Sequence, residues 1–462
     1  MKSKKIMAIT LAAGIFIGGV GVSPIKAFAA TENKVQAKVS TQKELQSKVY
    51  KLLNKIKVNP NEKDIKEARR VIEDIDNHSY RATCSYLLNL YINNNIDKNV
   101  SSIDELVNAY KMNKKITSCE VEQNLGIKLD GKNLSKEEEK NLAQILSIIN
   151  SLNVKTDIKT VSRDENKKAV AEGNVKVSVN GVTMDMKVWS DVDTTGSNPK
   201  IKSIIEIPEA LKVIMPAEYK DKKYFVYDIS KILSNSQTVE ATKMIDFQKL
   251  INSANNFGVS FNESFANFIK IADAKYDIVS KGDASKLGNN SVKAYKIDLN
   301  NEKLINVIKY ALKDKKMTGL VKDYINDIMA LDPNYSGTKV TDEQLSAALN
   351  QTIMILDKMK DAVQIDISID VGVDKSGYVS YNKGNVKFTV NVGEISKMSG
   401  DIKAKKDVVN TNSIYTLLFN FDSNISKINE DIKTNPMPEV NEKNSIDYME
   451  FVMNMAKQNS NK

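Results

Sequence analysis

The chain has 462 residues, 41% of them apolar and 27% charged, with a formal net charge of +9; that length suits two or three domains. The basic excess is mild for the length and is carried by lysine, since Arg69, Arg70, Arg81 and Arg163 are the four arginines. Phosphate and carboxylate recognition favours arginine, and nucleic-acid binding needs a denser basic patch, so nucleic acid is not an expected partner; weak contact with an anionic cell wall stays open.

Met1–Lys5 carries three lysines, Ile6–Val22 is apolar and rich in Gly and Ala, and Ala27-Phe28-Ala29 is a small-x-small site. This order of features predicts a secretory signal peptide over residues 1–29, cut after Ala29. Gly14, Gly18, Gly19, Gly21 and Pro24 disfavour the alternative, an uncleaved membrane helix. No cysteine stands at the cut, so lipid anchoring is not expected. The segment also holds Lys2, Lys4, Lys5 and Lys26, so the mature chain is less basic than the total suggests. Beyond it no apolar run reaches the roughly 18–20 residues of a spanning helix. The expected location is outside the cell, free or loosely wall-associated, with no transmembrane segment after cleavage.

From Thr41 to about Leu152 the apolar period is helical. Leu45, Val49, Leu52 and Ile56 share one stripe, ended by Asn59-Pro60-Asn61; Ile65, Ala68, Ile72 and Ile75 make the next. Asn77-His78-Ser79 turns into a helix carrying Cys84, Leu87, Leu88 and Tyr91, and Ser102 opens a short one with Leu106, Val107 and Tyr110. Ser135 and Glu138 fit a capping box ahead of Leu142, Ile145, Leu146 and Ile149. Cys84 and Cys119 are the only cysteines. Export permits a disulfide between them, worth about 3–4 kcal/mol in the chain-entropy picture. Two buried thiols on helix faces are the equal alternative.

After Asn153 the period becomes two. Val175, Val177 and Val179 alternate with polar residues, as do Val182, Met184, Met186 and Val188, about Asn180-Gly181, a strong hairpin signal. The turn sets Val179 opposite Val182, Val177 opposite Met184, Val175 opposite Met186, and Lys176 opposite Asp185. Strands continue over Lys200–Ile207 and Tyr224–Tyr227, and helices return between about Glu240 and Ala274. Ser291–Leu299 reads as strand, followed by helices at Glu302–Lys313, Leu320–Leu331 and from Thr341, whose Thr341-Asp342-Glu343-Gln344 is a second capping box. Ile365 to Val373 and Val386 to Val392 flank a turn at Asp374-Lys375-Ser376-Gly377; Tyr415 to Phe421 forms a last strand, and Pro436 and Pro438 precede a terminal helix over Ile446, Met449, Val452 and Met453. Strands interrupted by groups of helices indicate an α+β fold with helices over one sheet face.

Catalytic motifs are missing. His78 is the only histidine and falls in a turn, and no nucleophile elbow, H-E-x-x-H, Walker loop or G-x-G-x-x-G is present. Asp191-Val192-Asp193-Thr194-Thr195-Gly196 imitates a calcium loop, but Lys202 stands where a bidentate glutamate is needed, so a turn between strands is the better reading. Carboxylates are abundant, and nothing singles out a pair. Trp189, the lone tryptophan, falls beside Glu172 on the face opposite the valine stripe; packing under a covering helix is preferred to a ligand platform. Met184, Met186, Met215 and Met244 are either core residues or the lining of an adaptable apolar pocket.

Val188-Trp189-Ser190-Asp191-Val192-Asp193, Pro199-Lys200, Ile204–Pro208 and Lys223-Tyr224-Phe225-Val226-Tyr227-Asp228 resemble uncharacterised secreted and stalk-bearing proteins of low-GC Gram-positive bacteria. Asp374–Tyr378 and Phe419-Asn420-Phe421-Asp422-Ser423-Asn424-Ile425 resemble the ending of the bacterial lipoprotein-carrier-like superfamily, over about Leu125 to Met453. Lys63–Ile96 is similar to spacer hairpins of Gram-positive surface proteins. The resemblance implies a curved antiparallel half-barrel closed by helices over an apolar cavity. The expected layout is a signal peptide at 1–29, a helical region at 30–124 and the α+β domain at 125–462. Val177, Met184, Met186, Ile367 and Phe388 are the candidate cavity-lining residues, for a lipid-like ligand and without cofactor, metal or catalytic residue. The rival expectation is a structural or adhesive envelope protein whose interior is filled by Phe261, Phe265 and Phe268.

Overall fold

A computed structural model describes residues 35–95, 100–163, 167–195, 200–213, 215–228, 247–288, 291–330, 339–398, 412–452 and 454. The expected signal peptide, Met244 and Met453 lie outside the described residues.

Four helices come first: α1 (Val35–Val58), α2 (Glu62–Glu73), α3 (His78–Asn93) and α4 (Ser102–Asn113). Asn61 and Asn77 cap α2 and α3 by accepting the N–H of Asp64 and Tyr80. The apolar stripes of α1, α2 and α3 meet in one buried cluster holding Val49, Ile56, Ile65, Ile72, Cys84 and Leu88. The strands are β1 (Ser118–Lys132), β2 (Asn153–Arg163), β3 (Lys168–Val179), β4 (Val182–Asp193), β5 (Lys200–Glu206) and β6 (Tyr224–Asp228). Then come β7 (Val279–Lys281), β8 (Lys293–Leu299), β9 (Val363–Val373), β10 (Val379–Asn391), β11 (Ile414–Ser426) and β12 (Ser445–Asp447). The later helices are α5 (Lys136–Ser151), α6 (Glu209–Lys212), α7 (Phe247–Tyr276), α8 (Asn301–Lys313), α9 (Lys315–Met329), α10 (Asp342–Met359) and α11 (Val392–Met398).

Among the described residues all twelve strands join one sheet in the order β12-β6-β5-β4-β3-β2-β1-β11-β10-β9-β8-β7, and it does not close into a barrel. Every pairing is antiparallel except β12 beside β6. The β3–β4 register is the expected one, with Lys176 Nζ 3.5 Å from Asp185, and both expected capping boxes form. Helices and sheet are both present, as expected.

Three expectations need correction. Residues 118–132, expected within a helical stretch, form the long strand β1, so the boundary at 124/125 falls inside a strand. Its alternation (Cys119, Val121, Leu125, Ile127, Leu129) is interrupted at Gln123, which disguises the period. Ile446, expected in the terminal helix, lies in β12; the helix there covers residues 448–452. The third concerns where the cysteines sit: helix faces were expected for both, and Cys84 is buried in α3, but Cys119 is half-buried at the start of β1; both are free, the second of the two equal alternatives. The reversal of direction that would bring two helices together is replaced by entry into the sheet.

The sheet also carries a repeat. Each of α5 and α10 opens on a capping box and leads into a hairpin, β2–β3 or β9–β10. The second strands end on Gly173-Asn174-Val175-Lys176-Val177-Ser178-Val179, followed by Asn180 in the turn, and Gly384-Asn385-Val386-Lys387-Phe388-Thr389-Val390-Asn391, identical at six of eight positions. A Cβ on Gly173 would lie 2.3 Å from the Asp157 carbonyl oxygen, and one on Gly384 2.5 Å from that of Ser368. Both positions require glycine for the same close strand approach.

Candidate apolar binding face

Antiparallel partners share a sheet face, so the register places side chains directly. From Val177 the pairings run to Met184 and Val154, then to Leu125, Phe421 and Gly384. Phe388 pairs with Leu417 and Ile365, and Val386 with Phe419 and Ile367. Val177, Met184, Met186, Ile367 and Phe388 therefore all lie on one face, an apolar strip reaching from β4 to β9. The opposite face carries Lys176, Asp185, Lys128, Asp130, Lys387 and Asp422.

Helices close the strip at its two ends. At one, Phe268 of α7, Leu106 of α4 and Met317 of α9 pack with Tyr295, Val371 and Val379 in a buried cluster. At the other, Phe225 and Ile446 pack with Ile207 and Met215, so Met215 is a core residue. Between these ends, the adjacent strands β4, β3, β2, β1 and β11 contribute no fully buried apolar side chain. α5, which packs against β1 and β3, buries none of its residues, and its Ile148 is exposed; α10, ahead of β9, also buries none, and its Met354 and Ile355 are exposed. α5 is tied down at its start, where Ser413 and Tyr415 donate to Glu138 at 3.1 and 3.2 Å.

A row of polar side chains crosses the apolar strip. Thr156, Gln123, Ser423 and Asn382 are successive partners on β2, β1, β11 and β10. Gln123 is exposed and donates to Ser423 Oγ at 3.4 Å, while the buried Thr156 hydroxyl has no hydrogen-bond partner. Sequence reasoning missed this row; its signal was polar residues standing at apolar parity.

The remaining candidates fall elsewhere. Trp189 lies on the opposite face, edge-on to Tyr224 with ring centroids 6.2 Å apart. The expected covering helix is replaced there by a loop: the Asn435 N–H donates to Glu172 at 2.7 Å. Asp193 accepts from Thr195 in a turn, and no His, Cys, Asp and Glu group fit for a metal occurs among the described residues. His78 begins α3 with its ring 3.4 Å from Arg81. Phe261 and Phe268 stack along α7 with Phe257, Tyr310 and Tyr324, joining helices to one another, and Phe265 is 41% exposed. Burial raises both thiols, Cys84 against an opposing hydrogen bond with Tyr80. No described helix is long and apolar enough to cross a membrane.

No protein-family model, no curated protein and no solved structure matches the chain.

Proposed function

We propose that this chain is a secreted, non-enzymatic binding protein that seats a lipid-like, amphipathic ligand on the central face of its sheet. One observation carries the reading: five adjacent strands present an apolar face on which no apolar side chain is fully buried. Leaving so much apolar surface part-wet forgoes about 25 cal/mol per Å², a cost that a ligand covering the strip would offset. The polar row gives the ligand an orientation, with its tail over Val177, Met184, Phe388 and Ile367 and a hydrogen-bonding group over Thr156 and Gln123. The likeness to the lipoprotein-carrier-like superfamily agrees with this use of a sheet. The structural or adhesive alternative draws on the stacked phenylalanines of α7, but these pack against α8, α9 and the β8–β10 end of the sheet, away from the five central strands.

Native mass spectrometry of the protein collected from culture medium without detergent should show a co-purified lipid-like mass. Thr156→Val should weaken displacement of a bound fluorescent fatty acid about fivefold, the worth of one hydrogen bond, and leave the urea midpoint unchanged or higher. An empty chain that takes up neither fatty acid nor lysophospholipid would favour the structural alternative.

A further inference from the structure

A second cavity, of about 670 Å³, opens between α2 and α3 on one side and α7, α8 and α9 on the other, lined by none of the strand residues described above. We propose that it binds a phosphate-class anion. Six cationic residues line it, Arg69, Arg81, Lys270, Lys313, Lys315 and Lys316, against the two acids Glu73 and Asp314. Two of the chain's four arginines therefore meet in one cavity of a protein that otherwise relies on lysine.

The acids present are already engaged. Glu73 accepts from the Tyr310 hydroxyl at 3.2 Å, and Asp314 caps α9 by accepting the N–H groups of Lys316 and Met317. Asp104, behind the wall, takes Arg69 Nη2 at 2.6 Å and Lys270 Nζ at 2.8 Å. That arrangement leaves Arg69 Nη1 buried with no acceptor, on a side chain 6% exposed. A buried guanidinium nitrogen without a partner calls for an acceptor that the protein does not supply. Lys313, Lys315 and Lys316 are exposed and form no ion pair with a described residue. They approach from the end of α8 and the first turn of α9. Cations converging from two sides suit a dianion with several oxygens better than a single carboxylate.

Calorimetric titration of the full secreted chain with inorganic phosphate, at constant ionic strength, tests the site. One saturable site per chain is expected. Arg81→Gln, and separately Lys315→Gln with Lys316→Gln, should each weaken it about tenfold, while Lys176→Gln on the sheet leaves it unchanged. Arg69 is too deeply paired to be a safe variant, and circular dichroism verifies that the others fold. Sedimentation with phosphatidylglycerol vesicles separates the sources: retention lost in the same variants assigns the phosphate to a lipid headgroup, and phosphate binding alone assigns it to a soluble ligand. No saturable binding of either, or binding indifferent to these substitutions, overturns the proposal. Fatty-acid uptake on the sheet face is measured separately and does not enter this result.

Discussion

Single residues hold the N-terminal helices to the rest of the molecule by charge. Lys66 of α2 reaches Asp273 at 3.2 Å and Asp277 at 2.5 Å, and Arg69 and Lys270 converge on Asp104. Burial alone would raise the Asp104 carboxyl, but Arg69, Lys270 and the Ser101 hydroxyl outweigh it and hold the group at about 2, below its usual 3.8. The folded value is the lower one, so this stabilisation is complete above pH 3.8 and is lost as pH falls toward 2. It amounts to about 2 kcal/mol. Urea midpoints measured between pH 5 and pH 2 should fall accordingly. Asp104→Asn should flatten that limb while costing about 3–5 kcal/mol at neutral pH, because two buried cations lose their counter-charge. The cysteines give a simpler expectation. Thiol titration of denatured, unreduced protein should find two free thiols per chain. In the folded protein Cys84 should react far more slowly than a free thiol, because burial keeps it protonated. A single disulfide-bonded species would contradict the packing of both helix and strand.

At the scale of elements, the hairpins distinguish two uses of glycine. Gly173→Ala and Gly384→Ala put a Cβ against a neighbouring strand's backbone and should each cost about 1–3 kcal/mol. Gly126→Ala in β1 meets nothing within 4 Å and should be neutral or slightly stabilising. Thermal midpoints of the three variants check this, and equal effects would remove the close-approach argument. The same elements show what the sequence made legible. The β3–β4 register was readable residue by residue because Asn180-Gly181 admits one turn geometry and both faces agree on it. The capping boxes at Ser135 and Thr341 were readable because they are local hydrogen-bond patterns. β1 was not, since Gln123 stands where alternation requires an apolar residue, and β7 and β12 are three residues long. Alternation about the turn put Val177, Met184 and Met186 on one face, while Ile367 and Phe388 join them only through the β2–β1–β11–β10–β9 pairings. The polar row across them was not readable, because it exists only once β2, β1, β11 and β10 are laid side by side. The pairing of β1 with β11, on which that row depends, joins segments almost three hundred residues apart.

For the whole molecule, buried apolar clusters lie at the two ends of the sheet and in the first helices, not along its middle. Elements that bury nothing, such as α5 and α10, belong to the part that opens at least cost. The repeated helix-and-hairpin unit places one such helix ahead of each hairpin. The sheet's outline has a separate consequence. Strands of eleven to fifteen residues occupy its centre, yet both margins, β7 and β12, are three residues long. An unpaired margin is a template on which another chain can add a strand, and long flat ones seed aggregation. A sheet this wide, exposing part-wet apolar residues, would be especially prone to such growth. With β7 and β12 each three residues long, either margin of the described sheet offers a neighbouring copy only a short template to extend.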